Sequence, residues 1–284
     1  MEKVGLVLEG GGMRGMFTAG VLDFFLDEGL EFPCIVGVSA GAIHACSFLS
    51  KQKYRSRDIT LKYINDKRYC SFRSLFTSGD MFNVRFSYYE IPEKLFPFDK
   101  KTFNKSRTKL LVTATDIVKG KAKYFHIKSF DNGEIEALRA SASLPMISNI
   151  VKYKGKEYLD GGLSDGIPIK KIEAEGYEKN IIILTRPDKY RKRKSRSYLT
   201  MIKRYRKYPL LIKLLKGRHT SYNETAKYLE EQEKEGKAFV IRPDLKLKIK
   251  RIDKNCTRLE AAYNSGYESA KKQFSELKKF MDAK

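Results

Sequence analysis

The sequence predicts an α/β fold in three layers, α/β/α, with a mainly parallel central sheet and a basic helical extension at its C-terminal end. Three observations predict it. Short apolar runs of strand length alternate with segments of helical periodicity, an order typical of parallel strands joined by helices. The 284 residues contain no internal repeat and no low-complexity linker. The composition becomes strongly basic in the last third of the chain.

The first elements are predicted in the order strand, helix, strand, helix. Val4–Leu8 is an apolar run that indicates a buried strand. Residues 15–28 carry apolar side chains at helical spacing, and Gly29 provides a common helix stop. Cys34–Val38 and Ala40–Leu49 then indicate a second strand and a second helix.

Later elements continue the same alternation. We expect strands at residues 110–115, 124–127, 180–185 and 238–241, a hairpin at 151–159, and helices at 134–141 and 257–280. Their order favours a sheet wrapped by helices over separate all-α or all-β domains.

A change of composition after Asp188 divides the chain into two predicted regions. Residues 1–187 form the predicted α/β domain. Residues 188–284 form a basic, mostly helical region that we expect to pack on the same domain. The sequence makes no prediction of the oligomeric state.

The basic segment, residues 189–218 from Lys189 to Arg218, holds thirteen Lys and Arg and no acid. Apolar residues recur within it at helical spacing, around a break expected at Pro209. The formal net charge of +23 favours polyanionic partners, although no specific nucleic-acid contact is expected. Two interpretations stay open: a solvated helix packed on the main domain, or a surface that docks peripherally on anionic membrane.

The cysteines and apolar stretches indicate the compartment. Four cysteines without a C-x-x-C pair or zinc-like spacing predict reduced, buried thiols, so we expect no metal and no other cofactor. The N-terminus lacks the features of a signal peptide, and residues 35–49 fall short of the ~20 apolar residues that a spanning helix needs. We therefore predict a cytoplasmic protein, with peripheral membrane contact left open.

Ser39 is a candidate nucleophile. It lies in Gly37-Val38-Ser39-Ala40-Gly41, between a predicted strand and a predicted helix, a pattern typical of a nucleophile on a sharp turn. Gly37 and Gly41 supply the small positions of such a turn. A serine hydroxyl also needs a base and a stabilised oxyanion, and the first turn of a helix offers unpaired amides and a positive dipole end. The alternative is an ordinary glycine-rich turn.

The loop after the first predicted strand is a candidate oxyanion site. Gly10, Gly11 and Gly12 expose backbone N–H groups without side chains in the way, and Arg14 is expected to orient or charge the loop.

The same loop also matches a dinucleotide-binding fingerprint, Gly10-x-Gly12-x-x-Gly15. That fingerprint expects an acidic residue at the end of the next strand to hold a ribose. Here that strand ends at Ser39, so dinucleotide binding stays an alternative.

Asp160 is a stronger candidate for the base than any of the three histidines. It follows the predicted hairpin and begins Asp160-Gly161-Gly162, which would present its carboxylate on a turn at a strand end. The three histidines, His44, His126 and His219, are each interpreted as structural.

Taken in order, three motifs resemble those of the patatin-like phospholipase family: Gly10-Gly11-Gly12-Met13-Arg14-Gly15, Gly37-Val38-Ser39-Ala40-Gly41 and Asp160-Gly161-Gly162. The stretch Ala140-Ser141-Ala142-Ser143-Leu144-Pro145 resembles the segment that precedes the acid in that family. The resemblance covers residues 1 to about 187, which would then form the catalytic domain. One departure is Gly166, where relatives often have Asn.

The resemblance implies a serine esterase of the phospholipase A or lysophospholipase type that acts on acyl lipid. Ser39 would be the nucleophile, Asp160 the only base of a Ser-Asp dyad, and Gly10, Gly11 and Gly12 the oxyanion hole. Arg14, Gly37, Gly41, Gly161 and Gly162 would support them.

The implied dyad sets physical requirements. Because a free aspartate is a weak base, we expect Asp160 to be partly desolvated and close to hydrogen-bonding distance from Ser39. Aromatic residues could line an acyl channel or form ordinary core: Phe72, Phe76, Phe82, Phe86, Tyr88, Tyr89, Phe96, Phe98 and Phe103. A basic scaffold that binds membrane or nucleic acid is a further alternative.

Overall fold

A computed structural model of the chain describes residues 4–131, 133–194, 197–244 and 248–283. Within these residues, eight strands form one sheet. They are β1 (Val4–Leu8), β2 (Cys34–Val38), β3 (Lys109–Asp116), β4 (Lys121–Ile127), β5 (Val151–Tyr153), β6 (Lys156–Asp160), β7 (Lys179–Ile183) and β8 (Ala238–Ile241).

Helices cover both faces of this sheet. They are α1 (Met16–Asp27), α2 (Ala40–Leu49), α3 (Arg55–Tyr63), α4 (Phe72–Ser78), α5 (Lys100–Lys105), α6 (Ile135–Ala142), α7 (Ile169–Ala174), α8 (Tyr198–Arg204), α9 (Pro209–Lys234), α10 (Cys256–Lys272) and α11 (Phe274–Asp282). Short 3-10 helices span Gly12–Gly15 and Gly161–Leu163, and a π-helix spans Phe86–Leu95.

The sheet is mainly parallel, which confirms the predicted fold class. Strands β3, β2, β1, β7 and β8 run parallel in that order, whereas β4 and β6 pair with β3 in the antiparallel sense and β5 pairs with β6. Side chains on the central strands alternate between two buried clusters. Leu6 and Leu8 face one helical layer and Val7 faces the other, as expected for strands covered on both sides.

The predicted helix at residues 257–280 is wrong in one respect, because it is two helices. Gln273 separates α10 from α11. After the break, Phe274 packs edge-on against Phe24, with ring centroids 5.2 Å apart, and Leu277 is completely buried. Helical periodicity continues through the break, so the sequence pattern alone does not reveal it.

Strand β3 aligns the ends of β2 and β6. A strand has two hydrogen-bonding edges, and β4 occupies one of them from Leu110 to Asp116. Strands β2 and β6 therefore share the other edge, where Val38 pairs with Thr113 and Asp160 pairs with the next residue, Ala114. The residue that follows Val38 is Ser39, so the register places the two candidate residues side by side.

The region after residue 188 joins the same sheet and the same helical layers. Strand β8 pairs in parallel with β7, and α10 crosses α1. The crossing is close because glycines replace side chains at the contact: a Cβ at Gly20 would overlap the carbonyl oxygen of Tyr263, and one at Gly266 would overlap that of Phe17. The Tyr263 hydroxyl donates to Asp23 at 2.7 Å in the same interface. The break predicted at Pro209 is present, with this proline at the first turn of α9.

A methyl group at the crossing of α1 and α10 tests this packing. We expect Gly266→Ala to lower the free energy of unfolding by about 1–3 kcal/mol, because the new Cβ overlaps backbone that cannot rotate away. The matched control is Gly217→Ala in α9, where a Cβ meets nothing within 4 Å and the gain in helix propensity is about 1 kcal/mol. Urea denaturation measures both, and equal effects in the two variants would contradict the packing.

Candidate active site

Ser39 occupies a strained turn between β2 and α2. Its backbone has φ 53° and ψ −123°, an unusual conformation for a residue with a side chain, and its side chain is 5 % exposed. The Ser39 N–H donates to the hydroxyl of Ser141 at 2.8 Å, and that hydroxyl donates in turn to the Thr113 carbonyl at 2.6 Å. The turn is thus bound to β3 through α6.

The two glycines around Ser39 allow α2 to approach the sheet. A Cβ at Gly37 would lie 2.7 Å from the Cα of Ala42, and one at Gly41 would lie 2.7 Å from the carbonyl oxygen of Leu8. Any larger residue would push the helix away from the end of the strand.

Asp160 ends β6 with its side chain buried. Its Oδ1 accepts the N–H of Gly162 at 2.8 Å, and its own N–H donates to the Ser143 carbonyl at 2.8 Å. Its carbonyl accepts the hydroxyl of Thr115 at 2.8 Å. Oδ2 is buried and has no hydrogen-bond partner. One carboxylate oxygen is therefore fixed by the backbone, and the other is left free.

Ser39 and Asp160 line one cleft, together with the glycine loop. Burial raises the pKa of Asp160 above its ordinary value of 3.8, and the nearby Ser39 hydroxyl is the first of the groups that oppose this rise, followed by Arg218. Among the described residues, Oδ1 of Asp160 accepts from Gly162 and Oδ2 has no partner, so no well-formed hydrogen bond joins the two side chains. The Ser39 and Asp160 side chains are therefore neighbours, and burial makes the Asp160 carboxylate more basic than a free one.

The glycine loop presents unpaired donors. The described hydrogen bonds use none of the N–H groups of Gly10, Gly11 and Gly12. Gly12 has φ +58°, and a Cβ there would overlap the carbonyl oxygen of Arg251, which itself accepts the N–H of Met13 at 2.9 Å. The chain after β8 therefore holds the loop from outside.

The glycines after Asp160 have steric reasons. A Cβ at Gly161 would overlap the carbonyl oxygen of Thr113, and one at Gly162 would lie 3.0 Å from Oδ1 of Asp160. At Gly166, the departure from the family pattern, a Cβ would make an ordinary van der Waals contact with the ring of Tyr222 at 3.4 Å.

Glu9 and Ser141 are site residues that the sequence reasoning missed. Glu9 is buried at the end of β1, where it accepts the Thr185 N–H at 2.6 Å and the Tyr222 hydroxyl at 2.7 Å. Its place immediately before the glycines was a usable signal. Ser141 lies 102 residues from its partner Ser39, and only its place in the stretch before the acid could have indicated it.

Arg14 and four further basic side chains surround the cleft. Burial, then Arg186 and Arg251, lower the pKa of Arg14 to about 10, and its Nε is buried without a partner. Lys192 and Arg218, both from the basic segment at residues 189–218, line the same cleft. At least these two residues of the basic segment therefore line the cleft with Ser39 and Asp160.

The three histidines do not replace Asp160 beside Ser39. His44 is buried in α2, with Nδ1 3.0 Å from the Ser56 hydroxyl, and burial lowers its pKa to about 4. His126 is exposed on β4, and His219 lies in α9.

A large, mainly apolar cavity of about 430 Å³ opens beside Ser39. Of the nine aromatic residues considered from the sequence, four line it, namely Phe82, Tyr88, Tyr89 and Phe98. Phe86 and Phe103 are buried in the core, whereas Phe72 and Phe76 are exposed on α4. Part of this aromatic set therefore lines the cavity and part of it belongs to the core.

The described residues contain no group of three or more His, Cys, Asp or Glu side chains placed to bind a metal ion. None of the helices in these ranges combines the length and the apolar character that crossing a membrane requires.

Comparison with known proteins relates both halves of the chain to families. The model of a family described as patatin-like phospholipase matches residues 6–171, and that of a domain of unknown function, DUF6363, matches residues 208–282. The uncharacterized protein YjjU of Escherichia coli is 26 % identical over 255 residues, which cover 85 % of this chain and 68 % of that protein.

Two further matches are more distant or shorter. A probable lipid hydrolase, 463L, of invertebrate iridescent virus 6 is 31 % identical over 180 residues, 58 % of this chain and 61 % of the viral protein. The crystal structure of VipD from Legionella pneumophila superposes with a TM-score of 0.50 at 12 % identity, covering 97 % of this chain and 67 % of that one. The VipD likeness concerns the fold alone.

Removing the Ser141 hydroxyl tests how the Ser39 turn is held. We expect Ser141→Ala to lower the free energy of unfolding by about 1–3 kcal/mol, since the buried Ser39 N–H loses its acceptor. The matched control is Ser143→Ala, whose hydroxyl donates only to the Arg139 carbonyl one helical turn earlier. Urea denaturation compares the two, and a smaller loss in Ser141→Ala than in the control would contradict the assignment.

Proposed function

The chain belongs to the patatin-like phospholipase family, and from that premise we propose that it is a lipid acyl hydrolase with a Ser39-Asp160 dyad. One observation carries the dyad: the shared edge of β3 brings a buried, unpartnered carboxylate oxygen next to a serine on a strained turn. The description of the viral relative as a probable lipid hydrolase supports the substrate class.

The proposed reaction starts with attack by the Ser39 hydroxyl oxygen on an ester carbonyl carbon, as Asp160 accepts the hydroxyl proton. The N–H groups of Gly10, Gly11 and Gly12 stabilise the negative oxygen that forms. Asp160 then gives the proton to the leaving alkoxide, and the acyl group stays on Ser39. Water attacks this ester with Asp160 again accepting a proton, which returns to Ser39 when the fatty acid leaves.

The environment of Asp160 supports its role as base. A carboxylate is a better proton acceptor when its pKa rises towards the working pH, and burial provides this rise. The bond from the Gly162 N–H to Oδ1 orients the group and leaves Oδ2 for the hydroxyl proton.

The cavity beside Ser39 supports an acyl substrate. Its lining includes Met16, Ile43 and Leu138, which offer a dry surface to a hydrocarbon chain. A chain that enters it would bring its ester carbonyl to Ser39 at the edge of the cavity.

The geometry disfavours dinucleotide binding. The close backbone approach that this fingerprint requires at Gly12 is taken by the carbonyl of Arg251. Strand β2 ends at Val38 and is followed by Ser39, without an acidic side chain for a ribose.

Labelling by a fluorophosphonate probe tests the nucleophile and the base. We expect complete loss of labelling in Ser39→Ala and a rate at least about 100-fold lower in Asp160→Asn, which lacks the proton acceptor. His126→Gln, an exposed change on β4, is the control that retains full labelling. Labelling of Ser39→Ala would remove Ser39 from the mechanism, and a basic scaffold would keep its binding in all three variants.

The pH dependence tests Asp160 separately. Because the ionised carboxylate is the active form and burial raises its pKa, kcat/KM should fall as the pH falls through a midpoint above 3.8. His44→Asn should keep that midpoint, because the Nδ1 of His44 bonds to Ser56 and the imidazole is outside the dyad. Initial rates on a soluble ester across the acidic range measure it. A midpoint that moves in His44→Asn would assign the titration to the imidazole.

A further inference from the structure

The cleft that holds Ser39, Asp160 and the glycine loop has a chemistry opposite to that of the apolar cavity. It holds about 40 Å³ of space, where a single water needs roughly 10–15 Å³. Its lining shares Gly12, Ser39 and Leu144 with the cavity, so the two spaces meet at the candidate nucleophile. A lipid ester placed at Ser39 would have its acyl chain on one side and its remaining part in this cleft.

Five basic side chains line the cleft, namely Arg14, Arg186, Lys192, Arg218 and Arg251. Two acidic residues line it as well. Glu9 accepts from Thr185 and Tyr222, whereas Asp160 accepts the Gly162 N–H through Oδ1 and has an unpartnered Oδ2. Within the described residues, none of the five cations forms an ion pair of 4.0 Å or less.

The cations are held in place although they repel one another. The Nε of Arg218 donates to the Gly162 carbonyl at 2.8 Å, which leaves its terminal nitrogens free. The ammonium of Lys192 lies 3.8 Å from the centroid of the Tyr222 ring. Burial, then Arg218, lower the pKa of Lys192 to about 6, and Nε of Arg14 is buried without any partner. Like charges crowded in this way are stabilised when an anion enters.

We propose that this cleft is a subsite for the phosphate of an anionic lipid headgroup, held by Arg14, Lys192 and Arg218 while the acyl chain occupies the apolar cavity. The inference rests on the proposed lipid hydrolysis and adds a headgroup preference to it. A headgroup with net negative charge is favoured over a zwitterionic one, because a second cation such as choline would meet the four arginines of the cleft.

The C-terminal region supplies most of the subsite. Lys192 lies in the loop that precedes α8, Arg218 in α9, and Arg251 between β8 and α10. The subsite therefore gives part of the basic segment a role at the reaction centre, in addition to any contact with a membrane surface.

The test uses short-chain substrates that stay monomeric, so that binding of the basic protein to an anionic interface does not contribute. We expect kcat/KM to be at least about tenfold higher for dihexanoyl phosphatidylglycerol than for dihexanoyl phosphatidylcholine. In Lys192→Met and Arg218→Met this ratio should fall to within about threefold of unity, and Lys192→Arg should restore it. Lys216→Met, an exposed change on α9, is the matched control that keeps the ratio.

A second measurement does not depend on turnover. Glycerol 1-phosphate should raise the melting temperature of Ser39→Ala, more than inorganic phosphate at the same concentration, and addition of Lys192→Met should abolish the shift. An equal shift with inorganic phosphate would assign the cleft to a free anion and overturn the headgroup subsite.

The outcomes separate the two proposals. Hydrolysis of both lipids at equal rates by the wild type would overturn the subsite and leave the hydrolase intact. Hydrolysis of neither lipid, together with absence of probe labelling, would overturn the proposed function itself. Loss of the ratio in Lys216→Met as well would show that overall charge, and not the cleft, sets the preference.

Discussion

The pairing of β3 is the constraint on which the rest of the site depends. Its outer edge is covered by β4, so β2 and β6 must meet end to end on the other edge, at Thr113 and Ala114. Hydrogen bonds of the sheet thus define the position of Ser39 relative to Asp160 more tightly than any contact between the two side chains. A slip of β6 by one residue would turn the carboxylate to the opposite face of the sheet.

The C-terminal end of α6 and the residue after it bind both candidate residues. Ser141 binds the N–H of the strained Ser39 turn, and the Ser143 carbonyl binds the N–H of Asp160. The turn at Ser39 and the buried carboxylate both cost free energy in the folded chain. The central strands, which are buried on both faces of the sheet, offset that cost and keep this conformation populated.

The C-terminal region contacts both the central fold and the candidate site. The α1 and α10 backbones touch through glycines, and Tyr222 of α9 bonds to Glu9 beside the glycine loop. The carbonyl of Arg251 covers the loop itself. Residues 1–187 without these partners would expose the apolar face of α1 and leave the glycine loop unsupported, which gives a physical reason for the two regions to occur in one chain.

The sequence by itself determined the elements and the motifs. The bounds of β1, β2, α2 and β8 follow from local periodicity and from glycines at their ends. The short apolar runs of the three strands are compatible with burial in a sheet that helices cover. The motif order was also enough to indicate the family, since each motif is local in sequence.

Only the tertiary structure decided what surrounds those motifs. The bond between Ser141 and Ser39, the gap at Gln273, and the cluster that joins Arg14 to Arg218 and Arg251 depend on side chains far apart in the chain. The charge pattern predicts that Lys192 and Arg218 belong to a solvated or membrane-facing surface. A run of basic residues looks the same in the sequence whether the folded chain exposes it to water or places it in a cleft. The burial of these side chains and the distances between them are set only when the chain folds. Both determine the chemical environment of each residue.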